Sequence, residues 1–126
     1  MIKFYLIAAL LSLGLSANAT TCKAWYEDNT YKSHDLTLSY KKNVKSYVGM
    51  AKEFIVQLRL LSESTYSVWM YNAKTKAYMG SRGLVATEGA VVSSVSFGID
   101  GDVNNYFSVN VACSTDKNYG GFEVRP

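Results

Sequence analysis

The side chains able to carry acid–base or nucleophilic chemistry are few and poorly spaced for it. His34 is the only histidine in 126 residues. It sits in Lys32-Ser33-His34-Asp35, a polar stretch that reads as a loop. A hydrolytic triad needs a serine, a histidine and an orienting acid that converge in space on the two imidazole nitrogens. Ser33 and Asp35 are the immediate neighbours of His34, which is not that geometry. No G-x-S-x-G elbow, H-E-x-x-H pair, P-loop or G-x-G-x-x-G run occurs. A glycosidase built on two distant carboxylates leaves no local motif, but ten acids in total give it little to draw on. The expectation is a non-enzyme with no cofactor. An enzyme without a visible motif is the last alternative.

A second chemistry would be cation binding. Asp100, Asp102 and Asn104 follow the first, third and fifth positions of an oxygen-rich calcium loop. The likeness ends where such a loop needs glycine and then a bidentate glutamate, because those positions hold Asn105 and Val111. The plain reading is a hairpin turn on Asp100-Gly101, with no metal site.

The third chemistry is attraction to anions. Between Leu36 and Lys52 there is no acid, and Lys41, Lys42, Lys45 and Lys52 lie there with Tyr40 and Tyr47. Such a stretch can touch an anionic surface weakly. It can equally keep an edge strand from pairing with another chain. The whole chain is only +3, too little for a nucleic-acid binder.

The strongest lead is aromatic. If Cys22, Ala24 and Tyr26 face the core, Trp25 points outward beside Lys23 and Glu27. If Tyr66, Val68 and Met70 face the core, Trp69 and Tyr71 point outward. Outward aromatics on a sheet can stack on sugar rings or anchor a protein interface. The expected ligand-binding set is therefore Trp25, Trp69 and Tyr71, helped by Lys41, Lys42 and Lys45.

These residues need strands to hold them, and strands are what the pattern gives. Leu36, Leu38 and Tyr40 alternate with polar residues. So do Tyr66 to Met70, Val91 to Ile99 and Phe107 to Cys113. Period-two alternation rich in β-branched and aromatic residues is the signature of half-buried strands. Breaks fall at Asn72 to Lys76, Gly80 to Gly83, Glu88-Gly89 and Asp100-Gly101. Ala51 to Leu61 fits strand or helix, and its β-branched Ile55 and Val56 favour a strand. A last short strand is expected at Phe122 to Val124. The fold expected is all-β, a single antiparallel sandwich or small barrel of seven to nine short strands.

The amino terminus bears on where the domain works. Lys3, the uncharged apolar run Phe4 to Leu15 and the small residues Ser16-Ala17-Asn18-Ala19 follow the order of a cleavable signal peptide. Residues 1–19 are expected to be removed, leaving 20–126 as one domain. Thr21 and Ala19 precede Cys22 where a lipid-modified cysteine needs a small and an aliphatic residue. No later stretch has the length of a transmembrane helix. An exported chain with two cysteines is expected to pair them as Cys22–Cys113. On the chain-entropy model that bond is worth roughly 4–5 kcal/mol at most.

The function expected is an exported, non-catalytic binding module, periplasmic or secreted, that meets a glycan or a protein outside the cytoplasm. The runner-up is an inhibitor of a secreted protease or lysozyme, plugging an active site with the Gly80–Gly83 or Asp100–Asn105 loop.

Overall fold

The computed structural model describes residues 19–30, 32–99 and 102–126, and side chains outside 97–106. Among the described residues ten strands run in chain order: β1 (Thr20–Glu27), β2 (Ser33–Asp35), β3 (Ser39–Lys41), β4 (Ser46–Ala51), β5 (Phe54–Leu60), β6 (Thr65–Asn72), β7 (Tyr78–Leu84), β8 (Val91–Ile99), β9 (Asp102–Ser114) and β10 (Phe122–Val124). They form two antiparallel five-stranded sheets. The first has the order β10-β1-β9-β8, with β2 also paired to β1, and the second the order β3-β4-β5-β6-β7. The expected all-β sandwich with one disulfide is what forms. Its strand count exceeds the expected seven to nine, with β2 and β3 only three residues each, and the expected last short strand at Phe122 to Val124 is β10.

Period-two patterning places the core between the sheets. On β5, Phe54, Val56, Leu58 and Leu60 are buried while Arg59 is exposed. A helix would have gathered Phe54, Leu58 and Leu61 and left Val56 and Leu60 in water. As a strand, four large apolar side chains are buried, each worth roughly 1.5–3 kcal/mol. Tyr66, Val68 and Met70 of β6 face Val95 of β8 and Phe107, Val109 and Val111 of β9 across the core. Tyr66 brings a hydroxyl with it and donates it to the Val111 carbonyl at 2.8 Å. Gly83 makes room for that ring, since a Cβ there would run into its Cζ.

Cys22 and Cys113 are directly opposite each other on β1 and β9, with Cα atoms 4.1 Å apart, and form the disulfide. The bond thus joins neighbours within the first sheet. It closes a chain separation of 91 residues. Structural disulfides are commonest in chains that fold in oxidising compartments. Among the described residues no helix is long and apolar enough to cross a membrane.

Four local expectations are corrected. Gly80 to Gly83 is no turn but the middle of β7. Two glycines there leave room for large side chains of β6, so they mark packing and not a reversal of the chain. Leu36 to Leu38 is not strand, although both leucines are buried. The Leu36 amide instead caps the Ala24 carbonyl at 3.0 Å. Ala51 to Leu61 is interrupted by a turn at Lys52-Glu53, where Lys52 has a positive φ of 56°. His34 is not in a loop but on β2, paired with Tyr26 of β1. By contrast the break at Asn72 to Lys76 is the β6–β7 hairpin, closed as Asn72 accepts the amides of Lys74 and Thr75 on its side-chain oxygen.

Candidate functional site

Outward residues of the second sheet line up in rows across its strands, because paired residues share a face. One row is Met50, Ile55, Tyr71 and Tyr78. The next is Val48, Gln57, Trp69 and Gly80. A third holds Arg59, Ser67 and Arg82, and Lys41 pairs with Ser46 at its β3–β4 end. The β5, β6 and β7 members of these rows line an open groove. Its cationic end is about 480 Å³, lined by Arg59, Ser67 and Arg82 among others. Its aromatic end is about 280 Å³, between Ile55, Tyr71 and Tyr78. Trp69 and Gln57 belong to both ends and so sit at the centre.

Trp69 is held by what is missing next to it. A Cβ built on Gly80 would lie 2.7 Å from indole Cδ2 and Cε3 and 2.9 Å from Cε2. Cδ2 is a ring-fusion atom bonded to the other two, so that vector meets the ring face, not its edge. The indole therefore lies flat over the bare backbone of β7, an aromatic covering a glycine. Trp69 is still 45% exposed, and Tyr78 beside it 68%. Their ring centroids are 6.0 Å apart. The outward ring face is a platform of the kind that stacks on another flat or ring-shaped group.

The cationic end is ordered from within. Gln57 Nε2 and Arg59 Nε both donate to the Ser46 hydroxyl oxygen, at 2.8 and 3.1 Å. Ser46 in turn donates to the Val44 carbonyl, and Arg59 Nη2 donates to that carbonyl at 2.7 Å. Arg59 is thus tied to the tip of the β3–β4 hairpin. Arg82 makes no ion pair with any described residue, and no Asp or Glu lines either end of the groove.

Of the expected site residues, the structure brings Trp69 and Tyr71 together on this face. Lys41 pairs with Ser46 at the edge of the same face, and Lys42 and Lys45 lie on the exposed hairpin turn that Arg59 grips. Trp25 is elsewhere. It lies on β1 in the first sheet, half-buried between Asp35 of β2 and Asn110 of β9. A separate hollow of about 490 Å³ beside it is lined by both Lys23 and Asp35. Arg59, Gln57 and Tyr78 are site residues that the sequence reading did not single out, and Gly80 and Arg82 entered it only as part of an expected Gly80–Gly83 loop. The signal for them was parity, since each shares the outward phase of its own strand.

The other chemistries stay apart. The His34 ring stacks on Tyr26, with centroids 4.9 Å apart. Its Nε2 is 3.9 Å from an Asp28 oxygen that Lys52 Nζ already holds at 2.7 Å. Hydrogen bonds from Lys52 and Thr30 keep the Asp28 carboxyl well below the usual carboxylate range. Among the described residues no three His, Cys, Asp or Glu side chains converge to hold a metal. Asp100, Gly101 and the side chains of Asp102, Asn104 and Asn105 lie outside the described residues. No family model matches the chain, and neither the curated proteins nor the solved structures give a match.

Proposed function

We propose that this chain is an exported, non-catalytic binding module that recognises a glycan on the outer face of its second sheet. The observation that carries the reading is the Trp69 indole, laid flat over Gly80 and open to solvent at the centre of a groove. Keeping a large ring exposed forgoes the burial that would stabilise the fold. A rigid exposed ring costs little ordering entropy when it stacks on a ligand. Flanking Tyr71, Tyr78 and Gln57 add apolar and hydrogen-bonding edges of the kind a sugar ring presents.

The disulfide and the order of charge, apolar run and small residues in 1–19 support export to the periplasm or beyond. Intact mass of the cell-made protein tests this: a chain starting at Thr20 and two hydrogens short agrees, and a chain keeping Met1 counts against it. For recognition, Trp69→Ala is expected to keep the far-ultraviolet spectrum and unfolding midpoint while losing at least ten-fold in glycan affinity on an array. If the wild type binds no glycan but inhibits a protease or lysozyme at stoichiometric dose, the inhibitor reading replaces this one.

A further inference from the structure

We propose that the glycan is acidic, a linear chain bearing carboxylates or sulfates that crosses the strands, with one ring on Trp69 and its anionic groups along Arg82, Arg59 and Lys41. This rests on the glycan reading above and names the class of ligand.

Arg82 on β7, Ser67 on β6, Arg59 on β5, Ser46 on β4 and Lys41 on β3 form one lane across the whole sheet. Cations stand on every second strand, roughly 10 Å apart given the spacing of neighbouring strands. The residues between them are serines, both buried, so the lane has a low floor. Trp69 is in the adjacent row, two residues along β6 from Ser67 and so roughly 7 Å away. A sugar ring over the indole would project its acidic substituent toward the lane, within reach of a guanidinium.

The charge of the groove is complementary to such a ligand. No acid lines the groove. Arg82 has no ion-pair partner among the described residues, and Arg59 is pre-positioned by Ser46 and the Val44 carbonyl. A guanidinium fixed in place loses less freedom when it takes a carboxylate or sulfate. An acidic protein would meet the same charges, but a protein anchor is ringed by closely packed contacts that exclude water. Here the residues flanking Trp69 on one side are the cations and low serines of the lane, which suit a rod.

Four probes test this with the mature chain: polygalacturonate for carboxylate, its methyl ester as the neutral counterpart, dextran sulfate for sulfate, and dextran. Binding to one of the acidic polymers at least ten-fold tighter than to its neutral counterpart is expected, and which one binds identifies the anionic group. Affinity should fall with added salt, as exposed charges are screened. Arg82→Gln, a residue with no described partner to lose, is expected to weaken binding about five-fold and flatten the salt dependence. Lys117→Gln, on the loop after β9, should leave both unchanged. Equal loss in Lys117→Gln would mean general charge attraction and overturn the lane. Equal binding of neutral and acidic polymers, insensitive to Arg82→Gln but lost in Trp69→Ala, would overturn acidity and leave the glycan reading standing. No binding to any array glycan, acidic or neutral, would remove both.

Discussion

The two sheets treat their outward faces in opposite ways. On the first sheet, Asp35, Trp25, Asn110 and Ser94 form a row across β2, β1, β9 and β8. Ser94 donates to the Asn110 side-chain oxygen at 2.6 Å, and Asn110 donates weakly to Ser108. Asn110 and Ser108 are both buried although they point away from the core. Among the described residues, no buried side-chain polar atom is left without a partner. On that face the buried Asn110 and Ser108 are paired with each other and with Ser94. On the second sheet, Trp69, Tyr78, Met50 and Arg82 stay exposed, and no described acid neutralises the two arginines. Both sheets carry an outward tryptophan, yet one is packed among hydrogen-bonded neighbours and the other lies over a glycine. A face that satisfies itself contributes to stability, and a face that does not is available for a ligand. The hollows beside the two tryptophans are nearly equal in volume, so size does not separate them. Exposure and charge do.

That contrast can be broken most forcefully at the disulfide, which lies wholly within the first sheet. The double variant Cys22→Ala, Cys113→Ala is expected to lose stability by up to roughly 4–5 kcal/mol in urea unfolding. Below its lowered midpoint it should still bind with wild-type affinity, because the second sheet keeps its rows. A next step sets the tryptophans against each other. Trp25→Ala removes a half-buried ring and should cost about 2 kcal/mol of stability, less than a fully buried aromatic would, with affinity intact. Trp69→Ala should do the reverse. Gly80→Ala is subtler. The new Cβ would sit 2.7 Å from the indole and must tilt it, while alanine restrains the unfolded chain by about 0.4–1 kcal/mol. Stability should change by less than 1 kcal/mol, tryptophan fluorescence should shift, and affinity should fall about three-fold.

Much of this contrast was legible in the sequence, and the remainder was hidden for a physical reason. Alternation is local, so Phe107 to Cys113 announces both strand and inward face, whereas Phe54 to Leu60 fits a helix as well and only its β-branched Ile55 and Val56 favour the strand. The outward phase of Trp69 and Tyr71 follows from the same rule, and so does that of Trp25. What alternation cannot carry is which strand lies beside which. Trp25 and Trp69 share a phase but not a sheet, and only strand order separates them. Gly80 reads as a turn residue until register sets it opposite Trp69. Arg59 and Arg82 stand 23 positions apart in number and become one lane only once β5, β6 and β7 are paired. Lys41, Lys42 and Lys45 were visible as a charge run. Their place by the groove depends on Arg59 reaching back to Val44.

Several polar contacts tie the two unlike sheets together, and the ion pair at one end gives the smallest effect. Asp28 follows β1 of the first sheet, and Lys52 is on the turn between β4 and β5 of the second. They meet at 2.7 Å with Asp28 only 7% exposed. Lys52 and Thr30 hydrogen bonds lower the Asp28 pKa from its ordinary 3.8. A carboxyl whose pKa is lowered by folding stabilises the native state above its unfolded value, and that stability is lost as pH falls toward the folded value. The contribution should be fully present at neutral pH and decline below about pH 4. Half of Lys52 is in water, so the effect is modest. In Asp28→Asn the unfolding midpoint should be lower at pH 7 and the gap to wild type should narrow on going to pH 3. Trp69 fluorescence and glycan affinity should be the same in both proteins at pH 7, since the tie sits at the end of the sandwich and not beneath the groove. A gap that stayed constant from pH 7 to pH 3 would show that the charge of Asp28 is not what joins the sheets there.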